Sequence, residues 1–265
     1  MIIVAERINS SRKHIAQAIK TENTEFIKSE AKAQAAAGAD FIDVNAGTFV
    51  GEEIERLTWL IEIVNNAVET PICLDSPDPK VIEAALPLVR NSPVMINSIT
   101  LDPHRLETLL PLVAEHKAKV IALCQSETDM AETADEKVKI AKALVERVTE
   151  AGVPIEDLYI DPLVYPVSTK ATSALDTLEA IERIMHEFTG VHTICGLTNV
   201  SYGLPNRKLV NRTFLVAALS RGLDAVILDP TDSALYGALK AGQVIAGKDE
   251  YCLSYITDFR NGRFE

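Results

Sequence analysis

Carboxylate and amide side chains follow one short apolar run after another along this chain of 265 residues. In chain order the polar residues at these positions are Glu6, Asn9, Asp43, Asn45, Asp75, Ser76, Asn97, Ser98, Gln125, Asp161, Thr198, Asn199 and Asp229. A carboxylate accepts hydrogen bonds, and an amide both donates and accepts them. One carboxylate can accept two parallel N–H bonds from a planar group. If the set converges, it suits a neutral heterocycle with adjacent N–H groups, such as the 2-amino-4-oxo edge of a pterin.

The same positions disfavour two other kinds of chemistry. No lysine ends any of these runs, which argues against aldolase chemistry through a Schiff base. No glycine-rich segment follows the last two runs, which argues against a phosphorylated substrate.

Individual residues of the set also have simpler interpretations. Asp43, Asp75 and Asp229 could each cap the helix that follows. Asn97 and Asn199 could satisfy backbone groups in loops, and an acidic cluster could hold Mg²⁺. Convergence favours a ligand site, because several carboxylates buried together at one rim would be costly without a ligand.

The elements that would position these residues alternate regularly along the chain. Short apolar runs predict strands at residues 2–5, 40–45, 71–74, 94–97, 120–123, 158–160, 192–196 and 225–228. Amphipathic segments predict helices at residues 25–37, 53–68, 133–151, 173–187, 211–221 and 232–246, with two more after the Asp-Pro pairs at 78–79 and 102–103.

Strand–helix alternation repeated about eight times predicts a single-domain α/β protein with a (β/α)₈ barrel over residues 1–265. A doubly wound open sheet is the competing architecture. It is disfavoured because eight units fit in the chain and no G-x-G-x-x-G follows the first strand. In a barrel, the polar residues at the strand ends would share one rim.

Composition limits the binding partners and the cellular location that can be expected. The net charge of −12 disfavours binding to nucleic acid or to an anionic membrane surface. No apolar run is long enough to span a membrane, and the first residues lack the features of a signal peptide, so a cytoplasmic protein is expected. The four cysteines are widely spaced and are expected to be reduced.

The chain resembles the pterin-binding methyltransferases, most closely the methyltetrahydrofolate:corrinoid/iron–sulfur protein methyltransferases. The matching stretches run in order over almost the whole chain, although alanine stands where the family's G-E-R-I-N begins with glycine. They are AERIN at 5–9, DVN at 43–45, LDS at 74–76, MINS at 95–98, DLYIDPL at 157–163, GLTNVS at 196–201 and NRTFL at 211–215. Dihydropteroate synthases and the folate domain of cobalamin-dependent methionine synthase share this layout.

The resemblance implies transfer of the N5-methyl group between methyltetrahydrofolate and the cobalt of a separate corrinoid protein. Asp75, Asn97 and Asp161 would hold the pterin, and Asn199 would act at N5, where protonation or hydrogen bonding lets the amine leave in neutral form. Gly196 and Arg207 would line the same pocket, beside the strand-end residues Glu6, Asp43 and Asn45. The resemblance also implies a homodimer. No bound metal is expected.

Three alternatives stay open. A dihydropteroate synthase-like transferase would use Arg207, Lys208 or Arg212 for a diphosphate leaving group. A zinc-thiolate methyltransferase would need a cluster built from His192, Cys195 and Cys252. A non-catalytic folate-binding subunit of a corrinoid complex would keep the pocket without the reaction. The sequence leaves the direction of transfer, the identity of the corrinoid protein and the choice between tetrahydrofolate and tetrahydromethanopterin undecided.

Overall fold

A computed structural model describes residues 1–126 and 131–264 of the chain. Eight parallel strands form one sheet in the order β7-β6-β5-β4-β3-β2-β1-β8. A bridge between Gly196 and Ile227, with the Ile227 N–H donating to the Cys195 carbonyl at 3.0 Å, joins its two edges. The strands are β1 (Ile2–Asn9), β2 (Phe41–Asn45), β3 (Ile72–Asp75), β4 (Met95–Ile99), β5 (Lys119–Leu123), β6 (Leu158–Asp161), β7 (His192–Thr193) and β8 (Ala225–Leu228). The predicted single-domain (β/α)₈ barrel is confirmed.

Helices surround the sheet and connect successive strands. They are α1 (Lys13–Lys20), α2 (Thr24–Ala36), α3 (Glu53–Ala67), α4 (Pro79–Ala85), α5 (Pro103–His116), α6 (Ala134–Glu150), α7 (Ser173–Glu187), α8 (Arg207–Ser220), α9 (Ser233–Ile245) and α10 (Leu253–Arg260). No helix in the described part of the chain is both long and apolar enough to cross a membrane.

Side-chain caps fix where several helices begin, and with them the loops of the rim. Asp78 and Asp102 accept backbone N–H bonds from Lys80 and Arg105, at 2.9 and 2.7 Å. Both caps precede a proline, as the two Asp-Pro pairs predict. Thr133 forms a reciprocal capping box with Glu136 at the start of α6.

The core has two parts. One buried residue from each strand, or from the residues directly after β7, fills the barrel interior: Val4, Phe41, Cys73, Met95, Ile121, Tyr159, Ile194 and Ala225. A larger layer of buried aliphatic residues separates the strands from the helices. This packed interior forms the floor on which the strand-end residues stand.

The bounds of several elements differ from the sequence expectation. β1 continues to Asn9 instead of ending at residue 5, and its register shifts between Ala5 and Ile8. The ladder of β7 covers His192–Thr193 instead of residues 192–196, because the backbone after it turns to pair with β8. Helices α1 and α10 were not predicted, and α8 begins four residues before the expected position.

Candidate active site

Three neighbouring strands bring the first group of polar side chains together. In the parallel register Asn45 of β2 lies opposite Asp75 of β3, and Asp75 lies opposite Asn97 of β4. The Asn45 amide donates from Nδ2 to Oδ2 of Asp75 at 3.0 Å. Asp43 stands two residues earlier on β2 and is buried. The predicted convergence of these four residues is therefore present.

Asp43 and Asp75 form a buried pair of carboxyl groups. Burial raises the pKa of Asp43 well above its ordinary value, and the charge of Asp75 raises it further. Hydrogen bonds from the Cys73 thiol and the Asn97 amide oppose this effect. The Oδ1 atom of Asp43 is buried and has no hydrogen-bond partner among the described residues. Burial also raises the pKa of Asp75 to about 6. A ligand that donates N–H groups would satisfy this arrangement.

The side chain of Asn45 forms hydrogen bonds that connect the loops and strands of the rim. Its Oδ1 accepts from the Ser10 hydroxyl and from the Gly47 backbone N–H, both at 3.0 Å. Since its Nδ2 is bonded to Asp75, the side chain braces β1, β2 and β3 and has little capacity left for a ligand.

Asp161, at the end of β6, is the second buried acceptor. It is 5% exposed, and burial raises its pKa to about 6. Backbone N–H groups of Leu163, at 2.8 Å, and of Gly196 donate to its carboxylate and oppose the rise in pKa. The bond from Gly196 ties Asp161 to the segment that carries Asn199.

Asn199 lies on a 3₁₀ turn (Leu197–Ser201) that follows Gly196. Its side chain is exposed, and Nδ2 is 3.1 Å from the position that a β-carbon on Gly196 would take. Arg207 braces this turn, since Nη2 donates to the Thr198 carbonyl at 2.7 Å and Nε donates to the Ser201 hydroxyl at 3.1 Å. The structure thus gives Gly196 and Arg207 roles in shaping the turn.

Glu6 and its neighbours complete the rim between β1 and β8. Burial raises the pKa of Glu6 to about 7, against the opposing effect of Arg12, whose Nη2 is 2.9 Å from its Oε1. Arg7 binds Glu30 through two nitrogens, at 2.6 and 3.0 Å, and reaches Asp229 at 3.1 Å. Asp229 therefore joins β8 to β1 and does not cap the next helix, whose cap is Asp232.

The sequence analysis missed two cations behind the rim, the half-buried Arg105 and the buried Lys137. Arg105 donates to the carbonyls of Ser98 at 2.5 Å, of Ser76 at 2.8 Å and of Pro77. Lys137 is fully buried and donates to the carbonyls of Pro162 and Leu163, at 2.6 and 2.5 Å. Both lie near the start of a helix, where the helix dipole disfavours a cation. This unfavourable placement of a cation in the first turn of a helix is the sequence feature that could have indicated a role for both residues.

The residues of the alternative zinc cluster do not assemble. The His192 ring pairs through Nδ1 with Asp224 at 2.7 Å and stacks on Tyr159. Cys195 is buried and Cys252 follows α9. Across residues 1–126 and 131–264, no group of three or more His, Cys, Asp or Glu side chains is arranged to hold a metal ion.

Comparisons with known proteins identify the family of the chain. Residues 5–229 match the family described as pterin binding enzyme. The chain is 36% identical over 265 residues to a methylcorrinoid:tetrahydrofolate methyltransferase of Eubacterium limosum, covering 99% of this chain and 97% of that protein. It is 29% identical over 241 residues to methionine synthase of Mycobacterium tuberculosis, which covers 86% of this chain and 20% of the synthase.

Solved structures share the fold at lower identity. Dihydropteroate synthase of Xanthomonas albilineans, with 4-aminobenzoic acid, superposes with a TM-score of 0.72 at 20% identity and covers 92% of each chain. Dihydropteroate synthase of Thermus thermophilus superposes with a TM-score of 0.66 at 20% identity, over 93% of each chain. With the family match and the full-length relative, the chain belongs to the pterin-binding enzyme family and, within it, to the methyltransferases.

Proposed function

We propose that this protein transfers the N5-methyl group between methyltetrahydrofolate and the cobalt of a corrinoid held by a separate protein. The observation that carries the proposal is the pair of buried carboxyl groups, Asp43 and Asp75, with an unpartnered acceptor atom at the carboxyl end of the strands. The named activity of the Eubacterium limosum relative supports the reaction class.

Pterin binding is assigned to Asp75, Asn97 and Asp161. A pterin presents an amino group and a ring N–H on one edge, and a buried carboxylate accepts both in parallel. Asp75 is held for this task by Asn45. Asp161, oriented by two backbone N–H groups, supplies a second acceptor, and the Asn97 amide supplies either a donor or an acceptor between the two.

Methyl transfer is assigned to the surroundings of Asn199. A methylated amine leaves readily only when N5 departs as a neutral amine, so a proton or a strengthening hydrogen bond at N5 is needed in the transition state. The Asn199 side chain carries no proton to give, but its carbonyl oxygen accepts from a protonated N5 and its amide orients water. The corrinoid supplies the cobalt that accepts or donates the methyl group.

The partner protein must approach the same rim, because Asn199 is exposed there. Tyr202 and Leu209 beside it are also exposed, at 66% and 55%, which gives this rim apolar surface for contact. A homodimer remains a prediction from the resemblance, and a cytoplasmic location remains a prediction from the sequence. Light scattering of the purified protein measures the first.

The proposal is tested by spectroscopic methyl transfer with cob(I)alamin in place of the corrinoid protein. Asn199→Ala is compared with the wild-type protein and with Asn66→Ala, an exposed asparagine on α3. We expect transfer from methyltetrahydrofolate to slow in Asn199→Ala while folate still binds, and to be unchanged in Asn66→Ala.

Other outcomes identify the alternatives. Folate binding with no methyl transfer in either direction would leave a folate-binding subunit. Release of diphosphate from a pterin diphosphate would instead identify a dihydropteroate synthase-like transferase.

A further inference from the structure

The guanidinium of Arg105 lies where the ladder between β3 and β4 ends. A backbone bond at this end runs from the Ser76 N–H to the Asn97 carbonyl at 3.3 Å. Just beyond it, Arg105 donates through Nη2 to the Ser76 carbonyl at 2.8 Å and through Nε to the Ser98 carbonyl at 2.5 Å. Since Ser76 follows Asp75 and Ser98 follows Asn97 in the chain, one side chain connects the residues directly after two of the proposed pterin ligands.

The shape of the arginine side chain suits this position. Arg105 also donates through Nη1 to the Pro77 carbonyl, so three nitrogens of one planar group reach acceptors on two loops. Lysine offers a single nitrogen on a flexible stem, and glutamine offers one amide nitrogen. All three acceptors are neutral carbonyls, so these bonds explain the shape of the side chain and leave its charge to be explained.

The charge of Arg105 acts on carboxylates at longer range. Arg105 forms no ion pair with any carboxylate in residues 1–126 and 131–264. Burial lowers its pKa from the ordinary value, and the charge of Asp75 is the largest effect that opposes this, followed by the charges of Asp102 and Asp78. In return, the charge of Arg105 lowers the pKa of Asp75. Arg105 and Asp75 therefore stabilise the charged forms of each other.

The other charged neighbours of Asp75 are acidic. Asp43 on β2 forms the buried carboxyl pair with it, and the charge of Glu53, at the start of α3, raises its pKa. The Cys73 thiol on the same strand is neutral, because burial raises its pKa well above the ordinary value. Within the described part of the chain, Arg105 is the cation whose charge lowers the pKa of Asp75.

We propose that Arg105 is a positioning residue for pterin binding, whose guanidinium holds Asp75 beside Asn97 and whose charge stabilises the Asp75 carboxylate. The inference rests on the proposed function, since it assumes a pterin whose N–H groups donate to that carboxylate. An ionised carboxyl group accepts two parallel N–H bonds, whereas a protonated one uses one oxygen as a donor. Loss of the cation raises the pKa of Asp75, so affinity for the pterin should be lost at higher pH on acidification.

Two substitutions separate the bonds of Arg105 from its charge. Arg105→Lys keeps the charge and loses most of the three bonds, and Arg105→Gln loses both. Arg90→Gln is the matched control, because Arg90 is an exposed arginine between α4 and β4, at the opposite end of the barrel. Affinity for 5-methyltetrahydrofolate is measured for the four proteins from about pH 5 to about pH 9, a range that includes the pKa of Asp75.

We expect Arg105→Lys to lose affinity by the same factor at every pH, because the charge beside Asp75 is retained. Arg105→Gln should bind about tenfold more weakly than Arg105→Lys at the acidic end of the range and match it at the alkaline end, where Asp75 is ionised without the cation. Arg90→Gln should match wild type throughout. In an Asp75→Asn background, Arg105→Gln should no longer change the pH dependence, because no carboxylate remains to be stabilised.

The same pH dependence in Arg105→Gln and Arg105→Lys would overturn the inference and leave the proposed function standing. Wild-type affinity in both variants at every pH would also overturn it. If Arg105→Gln does not fold, Arg105→Lys still decides, since a changed pH dependence with the charge retained would contradict the assigned role. Failure of wild type to bind 5-methyltetrahydrofolate at any pH would remove the proposed function, and this inference with it.

Discussion

Lys137 is linked to Asp161 through the backbone of the two residues that follow Asp161. Its ammonium group donates to the carbonyls of Pro162 and Leu163, and the Leu163 N–H donates to Oδ1 of Asp161 at 2.8 Å. Burial lowers the pKa of Lys137 to about 8, so it is still mostly charged at neutral pH. The buried cation therefore fixes the loop and also favours the ionised form of Asp161.

We predict that Lys137→Met moves the pH dependence of pterin binding. Burial raises the pKa of Asp161 to about 6 and Lys137 opposes this, so removing the cation raises the pKa of Asp161 further. The loss of affinity on acidification should then begin at higher pH. Titrations of tetrahydrofolate binding at a series of pH values measure the pH at which affinity is lost. Lys142→Met, on the exposed side of α6, is the control. An equal loss of affinity at every pH would reduce Lys137 to a structural role.

The raised pKa values also predict how the free energy of unfolding depends on pH without ligand. Asp161 binds its proton more tightly in the folded state, since its pKa rises from 3.8 to about 6. Its contribution to stability is therefore present below about pH 4 and is lost as the pH rises through 6. The difference is about 3 kcal/mol for the two units involved. Asp75 and Glu6 act in the same direction.

Urea unfolding at acidic and neutral pH tests this expectation. Relative to Asp161→Asn, the wild-type protein should lose stability between about pH 4.5 and 7.5, while Glu150→Gln, an exposed acid on α6, should follow wild type. A parallel pH dependence in wild type and Asp161→Asn would mean that burial does not raise this pKa.

Asp75→Asn should change the stability of the ligand-free protein and its affinity for a pterin in opposite directions. The charge of Asp75 raises the pKa of Asp43, so removing it relieves the repulsion within the pair and should stabilise the ligand-free protein by about 1 kcal/mol. An amide cannot accept two parallel N–H bonds, so pterin affinity should fall about a hundredfold or more.

Asp78→Asn is the matched control for Asp75→Asn, because Asp78 caps α4 in the same loop. It should leave pterin binding intact and change stability little, since asparagine is also a good cap. Calorimetry measures the stability of both variants, and binding titrations measure their affinity for the pterin. Destabilisation by Asp75→Asn would show that the carboxylate contributes more to the fold than its repulsion with Asp43 costs.

The sequence was sufficient to place Asp43, Asp75 and Asp161 at one rim, because parallel strands in a barrel end on the same side. The supporting cations could not be placed by that argument. Arg105 and Lys137 come from helices, and whether a helical side chain reaches back to a strand end depends on the helix rotation. Lys137 does fall on the apolar face of α6, with Ala134, Val138 and Ala141, so its burial could have been predicted, although its partners could not.

Strand bounds were harder to predict for a different reason. The register of β1 shifts between Ala5 and Ile8, so Glu6 and Asn9 lie within the strand and not in a loop after it. No residue pattern marks that shift. Similarly, Gly196 leaves the β7 ladder to pair with Ile227, a tertiary contact that local propensity does not encode.

The packing of Asn199 against Gly196 gives the last prediction. A β-carbon on Gly196 would stand 3.1 Å from Nδ2 of Asn199, and the φ angle of Gly196 is −72°, which alanine adopts without strain. Gly196→Ala should therefore fold normally but push the Asn199 amide aside. We expect kcat for methyl transfer to fall about tenfold or more with little change in folate affinity, as loss of one oriented hydrogen-bonding group in the transition state would produce.

A double-mutant cycle isolates this effect from general disturbance of the turn. If Gly196→Ala acts through Asn199, it should cost nothing further in the Asn199→Ala background, because no amide remains to be displaced. Additive losses in the double variant would mean that the methyl group of the new alanine obstructs the substrate itself. Single-turnover transfer rates with cob(I)alamin, together with folate affinities of the four proteins, distinguish these results. A wild-type rate of methyl transfer in Gly196→Ala would argue that the Asn199 amide needs no fixed position for the reaction.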